Sequence, residues 1–145
     1  GFLLFYLACG LAAAGAQIAA NPYEGIPMVG ASGAIAGVMG AYLLLFPKAR
    51  VDVLAIIIII IKIFTIPAWV MLGVWFMIQL FGGLALFGDS NVAYWAHAGG
   101  FVAGVVLALP LFFKRGGTVF WDRTHGHPPH PPIDYTRSRI PEVRR

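Results

Sequence analysis

Four apolar stretches, bounded by proline, lysine and arginine, limit the possible folds of this chain more than any other feature does. They run over about Phe2–Ala20, Ser32–Phe46, Val53–Phe87 and Val92–Phe113. Of the 145 residues, 59% are hydrophobic and only 11% are charged, which is far more apolar than a water-soluble domain of this length. A helix crosses the ~30 Å hydrocarbon core of a bilayer with roughly 20 apolar residues. The pattern therefore predicts an all-α, polytopic membrane helix bundle with four transmembrane helices.

The third stretch is too long for one span. Its 35 residues, at ~1.5 Å each, would greatly exceed the hydrocarbon thickness. We divide it at Pro67 and expect the span at about Ile66–Phe81, because a proline near a helix start costs little. Val53–Thr65, with six consecutive isoleucines, is expected to lie along the interface or pack against the bundle. A strand is rejected there, despite the β-branched residues, because an open strand edge cannot face lipid.

The distribution of Lys and Arg predicts the orientation. All ten lie between residues 48 and 62 or beyond Phe113, whereas the two connections on the opposite side carry only Glu24 and Asp89. The positive-inside rule then places the basic segments in the cytoplasm. The first and third spans would run outward, and the second and fourth inward. Tyr94 and Trp95 would enter at the outer interface, where aromatic rings commonly anchor helices.

The residues after Phe113 are rich in Pro, His and Arg and poor in large apolar side chains. Such a composition cannot bury enough surface to fold alone, so a disordered cytoplasmic tail near anionic headgroups is predicted over 114–145. His125, His127 and His130 are spaced closely enough to consider a metal. No metal site is expected, because prolines constrain the backbone and no cysteine or carboxylate cluster completes a site.

Two single residues near the start of the sequence also allow an interpretation. Gly1 is not an initiator methionine, and no signal-peptide cleavage pattern follows the first apolar run, so we expect a fragment or a trimmed domain. Cys9 lies in mid-span, has no partner for an internal disulfide, and is expected to be a small packing residue.

The second stretch is short for a span. From Ser32 to Pro47 a helix rises roughly 22 Å, so either the helix begins inside the membrane or the bilayer thins around it. The preceding connection, Asn21–Ala31, is rich in Pro and Gly and turns apolar towards its end. Such a loop can dip below the surface when protein or a water-filled cavity covers it. A helix N-terminus at that depth presents unpaired N–H groups, which suit an oxyanion site.

The predicted spans place Ser32 and His97 at the same depth in the membrane. Ser32 precedes Lys48 by 16 residues and His97 precedes Lys114 by 17, so both would sit ~24 to 26 Å above the cytoplasmic boundary. Four-residue glycine spacing lets membrane helices approach until their backbones nearly touch. That spacing occurs after each residue, at Gly33 and Gly37 and at Gly100 and Gly104.

Other interpretations of these residues remain open. Ser32 suits an ordinary helix N-cap, and this glycine spacing is common in helices that only pack or dimerise. An ionisable residue such as His97 is costly within a span and usually faces a cavity or a partner. His97 is the only imidazole in the membrane region, and no carboxylate lies at its depth. If Ser32 is a nucleophile, His97 is the only general base available, in a dyad rather than a triad.

The strings Gly30-Ala31-Ser32-Gly33 and Ala96-His97-x-x-Gly100-x-x-x-Gly104 together resemble the rhomboid family of intramembrane serine proteases. Leu45–Arg50 and Pro67–Trp69 are similar to bacterial-type members. The resemblance covers about residues 1–113. It implies that the four spans correspond to the last four helices of the family's six-helix core.

The resemblance implies an activity and a set of roles. Ser32 would attack a peptide bond in or near the transmembrane segment of a protein substrate, forming an acyl-enzyme that water hydrolyses. His97 would accept the serine proton and then protonate the leaving amine, and the backbone N–H of Ser32 would contribute to the oxyanion site. The partners would be transmembrane substrates and the lipid bilayer of a bacterial inner membrane, with no cofactor and no nucleic acid. The oligomeric state stays open.

The chain departs from the family pattern in two respects. The first two core helices, and the His and Asn that support the oxyanion site from the second, have no counterpart in these residues, so we expect the chain in isolation not to suffice for turnover. The aromatic residue that some members carry four positions after the serine is Ala36 here. The alternatives are a catalytically inactive rhomboid-like protein that binds membrane clients, and a small-residue helical bundle with a transport or assembly role. The presence of both Ser32 and His97 favours the protease.

Overall fold

Apolar helices, one β-hairpin and one short helix make up the part of the chain that the structure describes, residues 1–23, 30–57, 60–84 and 92–129 of a computed structural model. The elements are α1 (Phe2–Ala20), α2 (Ser32–Leu45), β1 (Arg50–Ile57), β2 (Ile60–Pro67), α3 (Ala68–Gly83), α4 (Tyr94–Lys114) and α5 (Thr118–Thr124). Within these ranges, α1 and α4 are long and apolar enough to cross a membrane, while α2 and α3 are shorter apolar helices. The fold is mostly helical, and α1 to α4 begin and end within two residues of the predicted spans.

Helix α4 lies at the centre of the bundle and packs against α1, α2 and α3. Its closest neighbour is α2, because glycines remove the side chains that would separate the two backbones. A Cβ atom on Gly100 would collide with the carbonyl oxygen of Gly33, and one on Gly104 with that of Gly37. The four-residue glycine spacing therefore produces the close helix approach that the sequence predicts.

Small residues fill the interior of the bundle. Cys9 of α1 is fully buried, and a Cβ atom on Gly37 would lie 2.5 Å from its Sγ atom, so the prediction that Cys9 is a packing residue is confirmed. One core cluster joins α2, α3 and α4 and consists of Ala36, Ala49, Ala68, Leu72 and Phe101.

Large apolar side chains remain exposed on the outer faces of α1 and α3. They include Phe2, Leu4, Leu7 and Leu11 on α1, and Trp69, Val74, Met77 and Phe81 on α3. Contiguous exposed apolar surface of this kind is typical of a face that contacts a membrane. Helices in lipid are expected to pack in this way, with small residues between the helices and large apolar residues on the outside.

Strands β1 and β2 form an antiparallel hairpin, which makes the prediction of an all-α chain wrong for residues 53–57 and 60–65. The register runs from Arg50 opposite Pro67 to Ile57 opposite Ile60. The β-branched residues of this segment favour the extended backbone. Pro67 ends β2 and is the N-cap of α3, so the division of the third stretch at this proline is confirmed.

The hairpin is compatible with the rule that excludes open strand edges from lipid, because that rule applies only within the hydrocarbon core. The hairpin begins directly after Lys48, where the predicted topology places the cytoplasmic surface. At this end Thr65 Oγ1 donates a 2.6 Å hydrogen bond to the Asp52 carboxylate. Ala49 and Val51 pack onto the core of the bundle. Water and headgroups at such a surface can satisfy the outer edges of the two strands.

Helix α5 lies against the adjacent ends of α2 and α4, so the prediction of a disordered tail is wrong for Thr118–Thr124. Phe120 is buried, with its ring centroid 5.8 Å from that of Phe46. The indole of Trp121 packs against Phe112 in a tilted arrangement with ring centroids 4.9 Å apart, and its Nε1–H donates to a carbonyl at the end of α2. Burial of these two aromatic side chains stabilises α5 even though the residues around them are mostly polar. Residues 130–145 lie outside the described part of the chain.

Replacing Trp121 by phenylalanine is expected to lower the free energy of unfolding by about 1 kcal/mol. The Trp121 indole donates a 2.9 Å hydrogen bond to the Leu44 carbonyl, one of the groups that a helix C-terminus leaves without an intrahelical partner. Thermal unfolding in detergent measures the change. Trp69→Phe is the matched control, because Trp69 is 57% exposed. Equal midpoints for the two variants would contradict a stabilising role for α5.

Candidate active site

Ser32 is the first residue of α2 and is exposed. The turn before it contains Gly30 with φ of +128°, a backbone conformation open chiefly to glycine. Ala31 occupies the N-cap position without a side-chain cap hydrogen bond, so Ser32 is not the N-cap that one interpretation of the sequence allows. The first helical hydrogen bond runs from Ile35 N to Ala31 O. The N–H groups of the three preceding residues therefore have no intrahelical acceptor.

His97 lies in the first turn of α4 and is half-buried. Its Nε2 atom is 2.9 Å from the Oγ atom of Ser32, within hydrogen-bonding distance. The structure thus brings together the two residues that were matched by depth. The close approach of α2 and α4 accounts for the short distance, because it brings together the first turns of the two helices, which carry Ser32 and His97.

Gln79 of α3 contacts the other side of the imidazole. Its Oε1 atom is 2.8 Å from Nδ1 of His97, and its Nε2 donates to the carbonyl oxygen of Trp75 at 3.3 Å. Gln79 is only 6% exposed. Gln79 is not among the site residues predicted from the sequence, because only ionisable groups were expected as partners of His97. A signal was present, since Gln79 is the one amide side chain in the predicted span Ile66–Phe81.

Trp75 supplies an aromatic ring beside the imidazole. The two ring centroids are 5.9 Å apart with an interplanar angle of 38°, and the indole also contacts Phe101. Ala36, which stands where some rhomboid members have an aromatic residue, is fully buried in the core. The aromatic neighbour of His97 therefore comes from α3 rather than from α2.

The start of α4 is held by two further helices. Gln17 of α1 is 5% exposed, and its Oε1 atom accepts a 3.1 Å hydrogen bond from the backbone N–H of Ala96. Trp95 Nε1 donates to the carbonyl oxygen of Gly83 at 3.0 Å, and the Tyr94 ring covers the neighbouring Gly82. Tyr94 and Trp95, predicted as interface anchors, thus connect α4 to the end of α3.

The motif glycines lie around this site. Gly33 sits between α1 and α4, where an added Cβ would be 2.5 Å from Ala13 Cβ and 3.4 Å from Ala96 O. Gly100 and Gly104 line the α2 contact described above, and Gly30 forms the turn before Ser32. Each would obstruct the approach or the turn if it carried a side chain.

Two predictions fall partly outside the described part of the chain. In the connection Asn21–Ala31, residues 24–29 lie outside it, and so does His130 of the histidine-rich segment. Within residues 1–23, 30–57, 60–84 and 92–129, no three His, Cys, Asp or Glu side chains come together as a metal-binding group.

A comparison with models of protein families identifies the family of the chain. The Rhomboid domain model matches residues 1–114, which span α1 to α4 together with Ser32 and His97 and end before α5. Neither a curated protein nor a solved structure matches the chain. With more than three quarters of its length matched by one family model, the chain belongs to the rhomboid family.

Proposed function

We propose that this protein is an intramembrane serine endopeptidase that cleaves peptide bonds in or near transmembrane segments of its substrates. The observation that carries the proposal is the 2.9 Å distance between Ser32 Oγ and His97 Nε2. A nucleophile within hydrogen-bonding reach of a base, with the base oriented by a third group, is typical of nucleophilic catalysis. Rhomboid proteins are generally serine proteases of this kind.

The chemistry assigns one step to each side chain. The Ser32 hydroxyl donates to Nε2, and His97 takes that proton as Oγ attacks the carbonyl carbon of the scissile bond. When the tetrahedral intermediate collapses, the imidazolium returns the proton to the leaving amine. Water then attacks the acyl-Ser32 ester, with His97 again acting as the base, and the serine is regenerated.

The N-terminus of α2 supports the oxyanion. The N–H group of Ser32 and those of the next two residues have no intrahelical acceptor, and no side chain caps them in the part of the chain that the structure describes. Such groups stabilise the negative charge that develops on the carbonyl oxygen. We assign the Ser32 N–H to this role, in line with the family resemblance. No metal or cofactor enters any of these steps.

The proposal includes a membrane topology. Helices α1 to α4 would each span, with α2 running only about 21 Å over its 14 residues, less than the ~30 Å hydrocarbon core. Ser32 would then lie below the outer surface, yet it is exposed and open to a substrate. The basic residues around Lys48 and after Phe113 would face the cytoplasm. The similarity of Leu45–Arg50 and Pro67–Trp69 to bacterial-type members supports a bacterial inner membrane as the location.

Cleavage of a tagged single-span substrate in liposomes tests the proposal. The full-length protein is expected to cut the substrate into two fragments, and Ser32→Ala is expected to cut none because it lacks the nucleophile. Thr118→Ala is the matched control, since it removes another exposed hydroxyl at a helix start. Undiminished cleavage by Ser32→Ala would contradict the proposal. Substrate binding without cleavage by the wild-type protein would instead support the client-binding alternative.

A further inference from the structure

We propose that Gln79 is a positioning residue that keeps the imidazole of His97 protonated on Nδ1, so that Nε2 is free to act as the base. The inference rests on the proposed function and adds a residue to it. In a neutral imidazole, the hydrogen bond at one nitrogen sets which nitrogen carries the proton. The partner of Nδ1 therefore decides whether Nε2 can accept the proton of Ser32.

The orientation of the Gln79 amide follows from its second partner. The Trp75 carbonyl oxygen lies 3.3 Å from Nε2 of Gln79, and a carbonyl oxygen can only accept a hydrogen bond. The NH₂ group must therefore point at Trp75, which turns the amide oxygen toward His97. A flipped amide would bring two acceptor oxygens together at the Trp75 carbonyl.

The imidazole protonation state follows from that orientation. With the Gln79 oxygen 2.8 Å from Nδ1, Nδ1 must carry the hydrogen and donate it. Nε2 is then the lone-pair nitrogen, and it lies 2.9 Å from the Ser32 hydroxyl. The opposite tautomer would leave Nδ1 facing an acceptor and would put a hydrogen on the nitrogen that has to receive one.

Burial of Gln79 favours its hydrogen bond with His97 over hydrogen bonds with water. Gln79 is 6% exposed, so water offers no easy replacement for a lost partner, and leaving the buried amide unpaired is unfavourable. Trp75 lies one helical turn before Gln79, so the indole and the amide share one face of α3. The ring of Trp75 restricts the imidazole plane while the amide oxygen fixes its rotation. Helix α3 thereby holds the base of a dyad formed by α2 and α4.

Two substitutions separate the hydrogen bond from packing. Gln79→Met keeps the length of the side chain without an acceptor, and Gln79→Glu keeps an oxygen at the same place. Leu72→Met is the matched control, because Leu72 is a buried α3 residue of the core cluster and makes none of the hydrogen bonds of Ser32 and His97 in the described part of the chain. All variants are made in the full-length protein in detergent.

Two measurements follow the effect. Nitrogen NMR of isotope-labelled histidine reports the His97 tautomer, with the His97→Asn variant identifying its signals. The rate of Ser32 labelling by a fluorophosphonate reports nucleophile activation. Gln79→Met is expected to lose the Nδ1–H tautomer as the dominant form and to label about 10- to 100-fold more slowly. Gln79→Glu should regain only part of the rate, because one carboxyl oxygen still faces Nδ1 while the other lies against the Trp75 carbonyl. Leu72→Met should match the wild type in both measurements.

An unchanged tautomer and an unchanged labelling rate in Gln79→Met would overturn the positioning role. A slow Gln79→Met with an unchanged tautomer would also overturn it, since the effect would then be structural. Failure of the wild-type protein to label at Ser32 would contradict the proposed protease function instead, while the NMR comparison would still decide the role of Gln79.

Discussion

Replacing His97 by alanine is expected to slow fluorophosphonate labelling of Ser32 by about 100- to 10,000-fold, the usual contribution of a general base. The hydroxyl of serine is a weak nucleophile unless a base removes its proton. Nε2 of His97 lies 2.9 Å from Oγ, and no carboxylate or second imidazole lies in the membrane region of the sequence to replace it. Ser32 itself remains present in this variant, so the loss measures activation rather than the absence of the reacting atom.

The matched control is His127→Ala, which removes an imidazole from the segment after α5 and leaves the dyad unchanged. Thermal unfolding in detergent checks that both variants remain folded. We expect His127→Ala to label at the wild-type rate. Labelling of folded His97→Ala at that same rate would contradict the role of His97 as the base.

Gly104→Ala is expected to destabilise the protein by about 1 to 3 kcal/mol, the typical cost of overpacking a core, and to slow Ser32 labelling by about 100-fold. The added methyl group would meet the carbonyl oxygen, the carbonyl carbon and the Cα atom of Gly37. These are backbone atoms, so no side-chain rotation relieves the collision and α4 must move away from α2. Displacement of either helix separates Ser32 from His97, and a misplacement of about 1 Å is enough for the expected kinetic loss.

Gly73→Ala provides the control for the glycine substitution. Gly73 is also a helical glycine in an apolar helix, but an added Cβ there would meet nothing within 4 Å. Alanine is the better helix former by about 0.5 to 1 kcal/mol, so this variant should be as stable as the wild type or more so. Equal stability and equal labelling of Gly73→Ala and Gly104→Ala would show that the α2–α4 contact does not position the dyad.

The four apolar helices were predictable because local features set their limits. Asn21, Pro47 and Lys114 end or follow apolar runs, and Pro67 divides the longest one at the start of α3. The close approach of α2 and α4 was predictable from Gly100 and its neighbours for the same reason, since glycine spacing is visible within one helix.

The hairpin and α5 were missed because they depend on where a segment lies rather than on its composition. The rejection of a strand over Val53–Thr65 assumed that the segment faces lipid, whereas it begins at the end of the bundle near Lys48. The tail prediction averaged over a polar segment and overlooked Phe120 and Trp121, which find apolar partners on α2 and α4. Contacts between residues distant in sequence therefore determine the structure of both the hairpin and α5.

The depth of the candidate site in the membrane was predictable from the sequence. The rotation of α3 about its axis, which decides which of its side chains face the site, was not. Counting residues from Lys48 and Lys114 places Ser32 and His97 at one level, and their small neighbours indicate the faces that meet. On α3 the Gln79 amide is the one polar mark among apolar residues, and the sequence does not show which residue it contacts. The contacts of Gln79 with His97 therefore required the structure.

Mass spectrometry of the fluorophosphonate adduct tests the catalytic role of Ser32 most directly. The full-length protein is treated with the probe, digested, and the modified residue is identified, alongside Ser32→Ala and His97→Ala. We expect one adduct on Ser32 in the wild-type protein, no adduct at residue 32 in Ser32→Ala, and a strongly reduced one in His97→Ala. An adduct on another residue, or an unmodified Ser32 in protein that is folded, would contradict the assignment of Ser32 and His97 as the catalytic pair.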